Sequence, residues 1–341
     1  MKAAIYHDIR NVTVEEVPDP VPGEKDAVVK VARCGLCGSD MTAWRSGGMF
    51  VGIDKDAEFG HEFCGTISQV GSAVEGVAVG DRVVVRPDKA KRQGLSMADM
   101  AGGFSEYVNV EDAAYGYNIY KIPDDVSFDE VVIAEPFWVG TRAVNRTEPT
   151  ADTNMVIYGA GPIGLCALAA AVAKGITPVV IDVVDERLEY AKEIGGIPFN
   201  STQGDVNEFL IEQFGATENV YQDEVGKVDA WVDAAGVPSV IEDIMDMCKV
   251  DGSILSVVAI HKDWVEINMT TLVTNELEIR GSCSYHTPDI EEVLDNLFSR
   301  RTKIGKIITH RFAQKDIAEA FDTFERTAET GAMKVIIDYD M

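Results

Sequence analysis

Residues 154–196 read NMVIYGAGPIGLCALAAAVAKGITPVVIDVVDERLEYAKEIGG. MVIY has the short apolar form of a strand, GAGPIG is a glycine turn, and LCALAAAVA is an apolar helix. PVVID is a second strand that ends on an acid, and DERLEYAKEIGG is an amphipathic helix stopped at Gly195. Gly159, Gly161 and Gly164 have the spacing G-x-G-x-x-G. The first allows a tight turn, the second lets backbone approach a pyrophosphate, and the third lets helix and strand pack closely. Pro162 and Ile163 open the helix, whose free N–H groups and positive dipole end meet the phosphates. Asp182 stands 23 residues after Gly159. At a strand end its carboxylate accepts hydrogen bonds from the adenosine ribose and repels a 2′-phosphate, so NAD is expected over NADP. Arg187, in the following helix turn, is a further candidate contact. By itself the fingerprint fits a nicotinamide or a flavin dinucleotide.

Working outward, KVDAWVDAAG, GSILSVVAI and LEIRGSCSY are three more strands with helical stretches between them. Residues 148–286 therefore read as a doubly wound parallel domain, and the fold class is α/β. The first 120 or so residues differ. VTVEEV, AVVKVARC, FCGTISQVG, DRVVVRP and FSEYVNV are short strands, punctuated by VPDPVPGEK, QVGSAVEG and VGDR. DDVSFDEVVIAEPFWVGTRAVNR reads as mainly helical, with Asp or Ser available as N-cap. The final ITHRFAQKDIAEAFDTFERTAETGAMKVIID is a helix and a strand. It is expected to complete the first domain, giving 1–147 with 287–341 around the nucleotide domain.

The chain has 341 residues, 30 basic and 57 acidic, for a formal net charge of −27. Such a surface repels phosphate backbones and anionic headgroups, so nucleic-acid and membrane partners are not expected. The longest apolar run, IGLCALAAAVA at 163–173, stops at Lys174 and is too short to span a bilayer. MKAAIYHD lacks the apolar core of a signal peptide, so the expected location is cytoplasmic.

Six cysteines are scattered at 34, 37, 64, 166, 248 and 283, which does not suggest a disulfide framework. Only CGLCGSD at 34–40 holds a C-x-x-C, and no second C-x-x-C or C…H-x-x-H completes a zinc ribbon. A thioredoxin-type dithiol would need a βαβ context, which this region lacks. Downstream lie His61 and Glu62 in GHE and Glu135 in AEPFWVG. With a cysteine these supply S, N and O donors suited to Zn²⁺, and three scattered ligands fit an open, catalytic site rather than a closed one. Taken singly, each has a plainer reading as a satisfied polar residue or a small buried apolar one.

In order, CGLCGSD, GHEFCG, GDRVVV, GGFSEYV, AEPFWVGTRAV, YGAGPIGL and ERLEYAKEIGG resemble the medium-chain, zinc-dependent alcohol dehydrogenase family over essentially the whole chain. The glutamate in AEP is most similar to the sorbitol, polyol and butanediol dehydrogenase branch. The resemblance implies a GroES-like catalytic domain beside a Rossmann domain, and hydride transfer between a secondary alcohol or polyol, or the matching ketone, and NAD. It implies Cys37, not Cys34, as a metal ligand and His61 as the second, with Glu62, Glu135 or water completing the shell. Asp40 would orient the histidine and Ser39 would hydrogen-bond the substrate oxygen. A zinc-free enone or quinone reductase on this scaffold would lack the Cys/His/Glu set. A non-catalytic dinucleotide-binding sensor is the non-enzyme alternative.

Three features depart from the family pattern. PDKAKRQGLSMADMAGG at 87–103 has no cysteine, so one catalytic zinc per chain and no structural zinc are expected. Thr42 stands where relatives often carry a proton-relaying histidine, so the terminal base is expected to be water or Glu62 through a bridging water. Arg142 replaces another histidine and reads as a salt bridge or an anion contact. Trp44, Phe50, Phe104, Phe137 and Trp138 are pocket or core aromatics. NELEIRGSCSY at 275–285 reads as an edge strand where family members pair, so a homodimer or homotetramer is expected.

Overall fold

A computed structural model describes residues 1–91 and 102–341. The chain forms two compact units, Met1–Glu135 with Gly305–Met341 and Pro136–Ile304. In chain order the first contributes strands β1 (Lys2–Asp8), β2 (Asn11–Glu16), β3 (Ala27–Gly35), β4 (Ala57–Glu58), β5 (Glu62–Val70), β6 (Arg82–Val85), β7 (Tyr107–Val110) and β8 (Ile119–Lys121). Helix α1 (Gly38–Ser46) follows β3, and α2 (Phe128–Val131) precedes α3 (Ala134–Asn145).

The second unit carries strands β9 (Met155–Tyr158), β10 (Val179–Asp182), β11 (Ile197–Asn200), β12 (Ala216–Glu218), β13 (Glu224–Gly226), β14 (Ala230–Asp233), β15 (Ser253–Val257) and β16 (Leu277–Gly281). Its helices are α4 (Pro162–Ala173), α5 (Asp185–Ile194), α6 (Val206–Phe214), α7 (Pro238–Met247), α8 (Met269–Thr274) and α9 (Thr287–Phe298). The chain then returns to the first unit through β17 (Ile308–Phe312), α10 (Ile317–Glu325), α11 (Thr327–Thr330) and β18 (Lys334–Asp338).

In the first unit the larger sheet runs β17-β18-β3-β5-β6-β8, with β7 also paired to β3; β2-β1-β4 form a smaller one. β18 closes on β3 antiparallel, Ile336 opposite Gly35, so the C-terminal strand lies directly beside the strand leading into α1. The core of this unit includes Phe59, Phe63, Phe104, Trp44 and Phe321, the last two stacked 5.1 Å apart. Trp44 and Phe104 are thus core residues. Phe137 and Trp138 are fully buried in the second unit, whereas Phe50 is exposed.

The second unit is one parallel sheet ordered β11-β10-β9-β14-β15-β16. β9, β10 and β14 are buried at every position, as strands covered on both faces must be. α4 is apolar all round and equally buried from Gly164 to Ala171. The strand order reverses between β9 and β14, the switch point of a doubly wound sheet. Among the described residues no helix is long and apolar enough to cross a membrane. Of the cysteine-free segment 87–103, residues 92–101 lie outside the described part.

Candidate metal centre and dinucleotide crevice

The metal candidates converge in the first unit because three elements end there. β3 delivers the chain to Cys37, which is the N-cap of α1 and so lies at the positive end of that helix. His61 immediately precedes β5, and Glu62 is its first residue. One ligand atom from each of Cys37, His61 and Glu62 lies within 4.8 Å of the others. Glu135, in the first turn of α3, is buried and near enough to act electrostatically on His61, but it is not a member of that cluster.

Asp40, completely buried, accepts the Cys37 backbone N–H at 2.9 Å and faces His61 Nδ1 at 3.9 Å. Burial pushes its carboxyl up to about 6, against the opposing pull of His61 and the Cys37 N–H. Burial pushes the imidazole of His61 down, but Cys37, Asp40 and Glu135 outweigh it and hold the ring well above the ordinary value. Asp40 Oδ1, His61 Nδ1 and Ser39 Oγ are buried and have no hydrogen-bond partner among the described residues. Unpartnered buried polar atoms are costly, so their concentration at one spot marks a site completed by a ligand. Thr42, by contrast, donates its hydroxyl to the Gly38 carbonyl at 3.0 Å.

One participant was not singled out from the sequence. Lys334, the first residue of β18, is 2% exposed; it forms an ion pair with Glu62 and donates to the Leu36 carbonyl at 2.9 Å. Burial lowers a lysine, but Glu62, Cys37 and Glu135 together raise this one. Room for the pair comes from Gly35: a Cβ there would overlap the Glu62 carboxylate and lie 3.0 Å from Lys334 Cε. The cluster and its electrostatic neighbours Asp40, Glu135 and Lys334 therefore set one thiol and three carboxyls against one lysine and one imidazole. That excess of acidic donors suits a divalent cation, and the S, N, O set suits zinc.

The second unit builds the other half of the chemistry. Gly159 has φ of +95°, and a Cβ on it would meet the Ala234 carbonyl at 2.9 Å. Gly164 packs so closely that a Cβ would overlap the Gly159 carbonyl oxygen. Gly161, the N-cap of α4, has no protein atom within 4 Å of its Cβ position, which leaves space for a phosphate. Pro162 and Ile163 begin α4. Asp182 ends β10, accepting the N–H of Ala160 at 2.7 Å and those of Val183 and Val184 at 2.8 and 3.0 Å. It ties the glycine turn to the strand end; Oδ1 already accepts two N–H groups, and Oδ2, which accepts one, keeps acceptor capacity for a hydroxyl. Arg187 Nη1 stands 3.9 Å from Asp182. Arg142 is not at this crevice: it faces Asp289 at 3.8 Å in a salt bridge.

Fold and site together define a zinc-type, dinucleotide-dependent oxidoreductase. Residues 23–124 match the alcohol dehydrogenase GroES-like domain, and residues 162–299 match the zinc-binding dehydrogenase domain. The (R,R)-butanediol dehydrogenase of Bacillus subtilis strain 168 is 30% identical, with 94% of each chain covered. The sorbitol dehydrogenase of the same strain is 31% identical over 84% of this chain and 82% of its own. A solved structure from Escherichia coli CFT073, described as a short chain alcohol dehydrogenase complexed with NADH, is 28% identical. It superimposes with a TM-score of 0.83 over 99% of both chains. The chain belongs to the zinc-dependent medium-chain alcohol and polyol dehydrogenase family. It is an enzyme of hydride transfer between an alcohol or ketone and NAD(H).

Proposed function

We propose that Cys37, His61 and Glu62 hold one zinc ion per chain, with Glu135 standing by as the alternative carboxylate. The observation that carries this reading is the convergence of those three donors beside the unpartnered Ser39, Asp40 and His61 atoms. A zinc ion held by these residues would supply Lewis-acid polarisation of an alcohol oxygen, and a bound NAD would supply the hydride acceptor. The chain's own residues do the rest. Asp40 orients the His61 ring. Ser39 Oγ hydrogen-bonds the substrate hydroxyl and takes the proton outward. Lys334 holds Glu62 in place. The hydroxyl proton of Thr42 is committed to its own helix, so Thr42 contributes little to the relay, and Glu62 or water receives the proton. Gly159, Gly161, Pro162, Ile163, Gly164, Asp182 and Arg187 bind the dinucleotide, with the first unit as catalytic domain.

The substrate is proposed to be a secondary alcohol or polyol, as the named relatives suggest, and the working location the cytoplasm. β16 is an edge of the six-stranded sheet, and pairing of that edge with a second copy gives the proposed dimer or tetramer. The test is NADH formation across a panel of secondary alcohols and vicinal diols, repeated for Glu62→Gln and Thr42→Ala. The reading expects turnover on some member of the panel, reduced more by Glu62→Gln than by Thr42→Ala. Binding of NADH with no turnover on any alcohol or ketone contradicts it; greater damage from Thr42→Ala places the relay at the threonine.

A further inference from the structure

Away from the metal cluster, the second unit pairs a histidine with a buried acid. His261 lies in the segment after β15, and Asp233 is the last residue of β14. Nε2 of His261 is 2.6 Å from Asp233 Oδ2. The Asp233 side chain is completely buried, and its Oδ1 accepts the N–H groups of Ala235 and Gly236 at 3.0 and 3.1 Å. The Asp233 main-chain carbonyl accepts those of Val258 and Ala259. One aspartate thus anchors the loops following β14 and β15. The first of these loops packs against the glycine turn, and the second packs against the first. A Cβ on Gly159 would meet Ala234, and one on Gly236 would meet Ala259 Cβ at 3.2 Å.

The position along a bound dinucleotide follows from strand order. Asp182, on β10, marks the adenosine side. A dinucleotide crossing the switch point between β9 and β14 lays its other half over the carboxyl ends of β14, β15 and β16. His261 stands there. A carboxylate only accepts, so Nε2 donates to Asp233, and in the singly protonated ring Nδ1 is an acceptor. That Nδ1 is buried with no hydrogen-bond partner among the described residues. A buried acceptor held in a fixed orientation and left without a donor fits a ligand N–H.

We propose that His261 Nδ1 accepts the carboxamide N–H of the nicotinamide ring and that Asp233 is its positioning residue. The inference rests on the dinucleotide reading above and names a side-chain contact for its nicotinamide half. The test is calorimetric titration of the full chain with three ligands: NADH, the reduced 3-acetylpyridine analogue, which lacks the amide N–H, and ADP-ribose, which lacks the ring. The unmutated protein is expected to bind NADH about tenfold more tightly than the acetylpyridine analogue. His261→Ala is expected to remove that difference by weakening NADH alone. Asp233→Asn is expected to weaken NADH in the same way, because an amide N–H facing Nε2 moves the ring proton to Nδ1. Equal loss for all three ligands in His261→Ala makes the pair a loop latch and overturns the proposal. So does an unmutated protein that binds NADH and the analogue alike, a result that needs no variant to fold. Failure of the unmutated protein to bind either NADH or ADP-ribose overturns the dinucleotide reading itself, and the proposal with it.

Discussion

A lysine ammonium taken out of water is costly unless a carboxylate meets it, and the reverse holds for a glutamate. Lys334 and Glu62 solve the problem for each other beside the donor cluster. Replacing Lys334 with Met leaves Glu62 buried without its cation, a loss of about 3–5 kcal/mol for broken buried pairs. Zinc offers Glu62 a second cation. The melting temperature of Lys334→Met is therefore expected to fall furthest below the parent in chelator, and the gap to narrow when zinc is added. An equal gap in both conditions contradicts a shared role for Glu62. The sequence displayed Cys37, His61 and Glu62 through their motifs. It hid Lys334, because a charged residue at the start of a strand ordinarily reads as a solvated end. The usable signal was a lysine between Met333 and Val335 at the head of a strand buried at all five positions.

At the scale of elements, the dinucleotide half was legible because strand, turn, helix and acid are contiguous, and the parallel strands are continuous apolar runs. β11 was not legible: IPFN carries Pro198, which argues against a central strand. The structure places it at the sheet edge, where a missing N–H is tolerated. β1 was also missed, since AAIYHD gives only a brief alternation. Its register with β2 brings His7 to Glu15 at 2.7 Å, and His7 also meets Asp56 at 2.6 Å in the turn before β4. Those bonds, Asp56 first and Glu15 next, hold His7 above its ordinary 6.5. A raised folded-state value stabilises fully below the unfolded value and is lost as pH rises through the folded one. His7→Gln is therefore expected to melt below the parent at acidic pH, with the difference closing on the alkaline side. A constant difference across pH removes the ion pair from the account.

For the whole molecule, one unit supplies the donors for a cation and the other the crevice for a dinucleotide. On the proposed assignment of Asp182 to the adenosine ribose, its carboxylate would repel a 2′-phosphate, so NAD is expected to have the higher kcat/KM than NADP. Asp182→Ser is expected to bring the two cofactors closer; equal efficiency in the unmutated enzyme would remove Asp182 from that role. Five of the seven quoted motifs lie wholly within residues 23–124 and 162–299 that match the two family domains; AEPFWVGTRAV falls between them and YGAGPIGL straddles the start of the second, and the substrate is not among the things those motifs encode. The central claim is a single metal on Cys37, with Cys34 as a buried packing residue of β3. Metal analysis of the purified chain beside Cys37→Ser and Cys34→Ser tests it most directly. The account predicts about one zinc per chain, kept in Cys34→Ser and lost in Cys37→Ser. Two zinc ions per chain, or a full complement in Cys37→Ser, would contradict it.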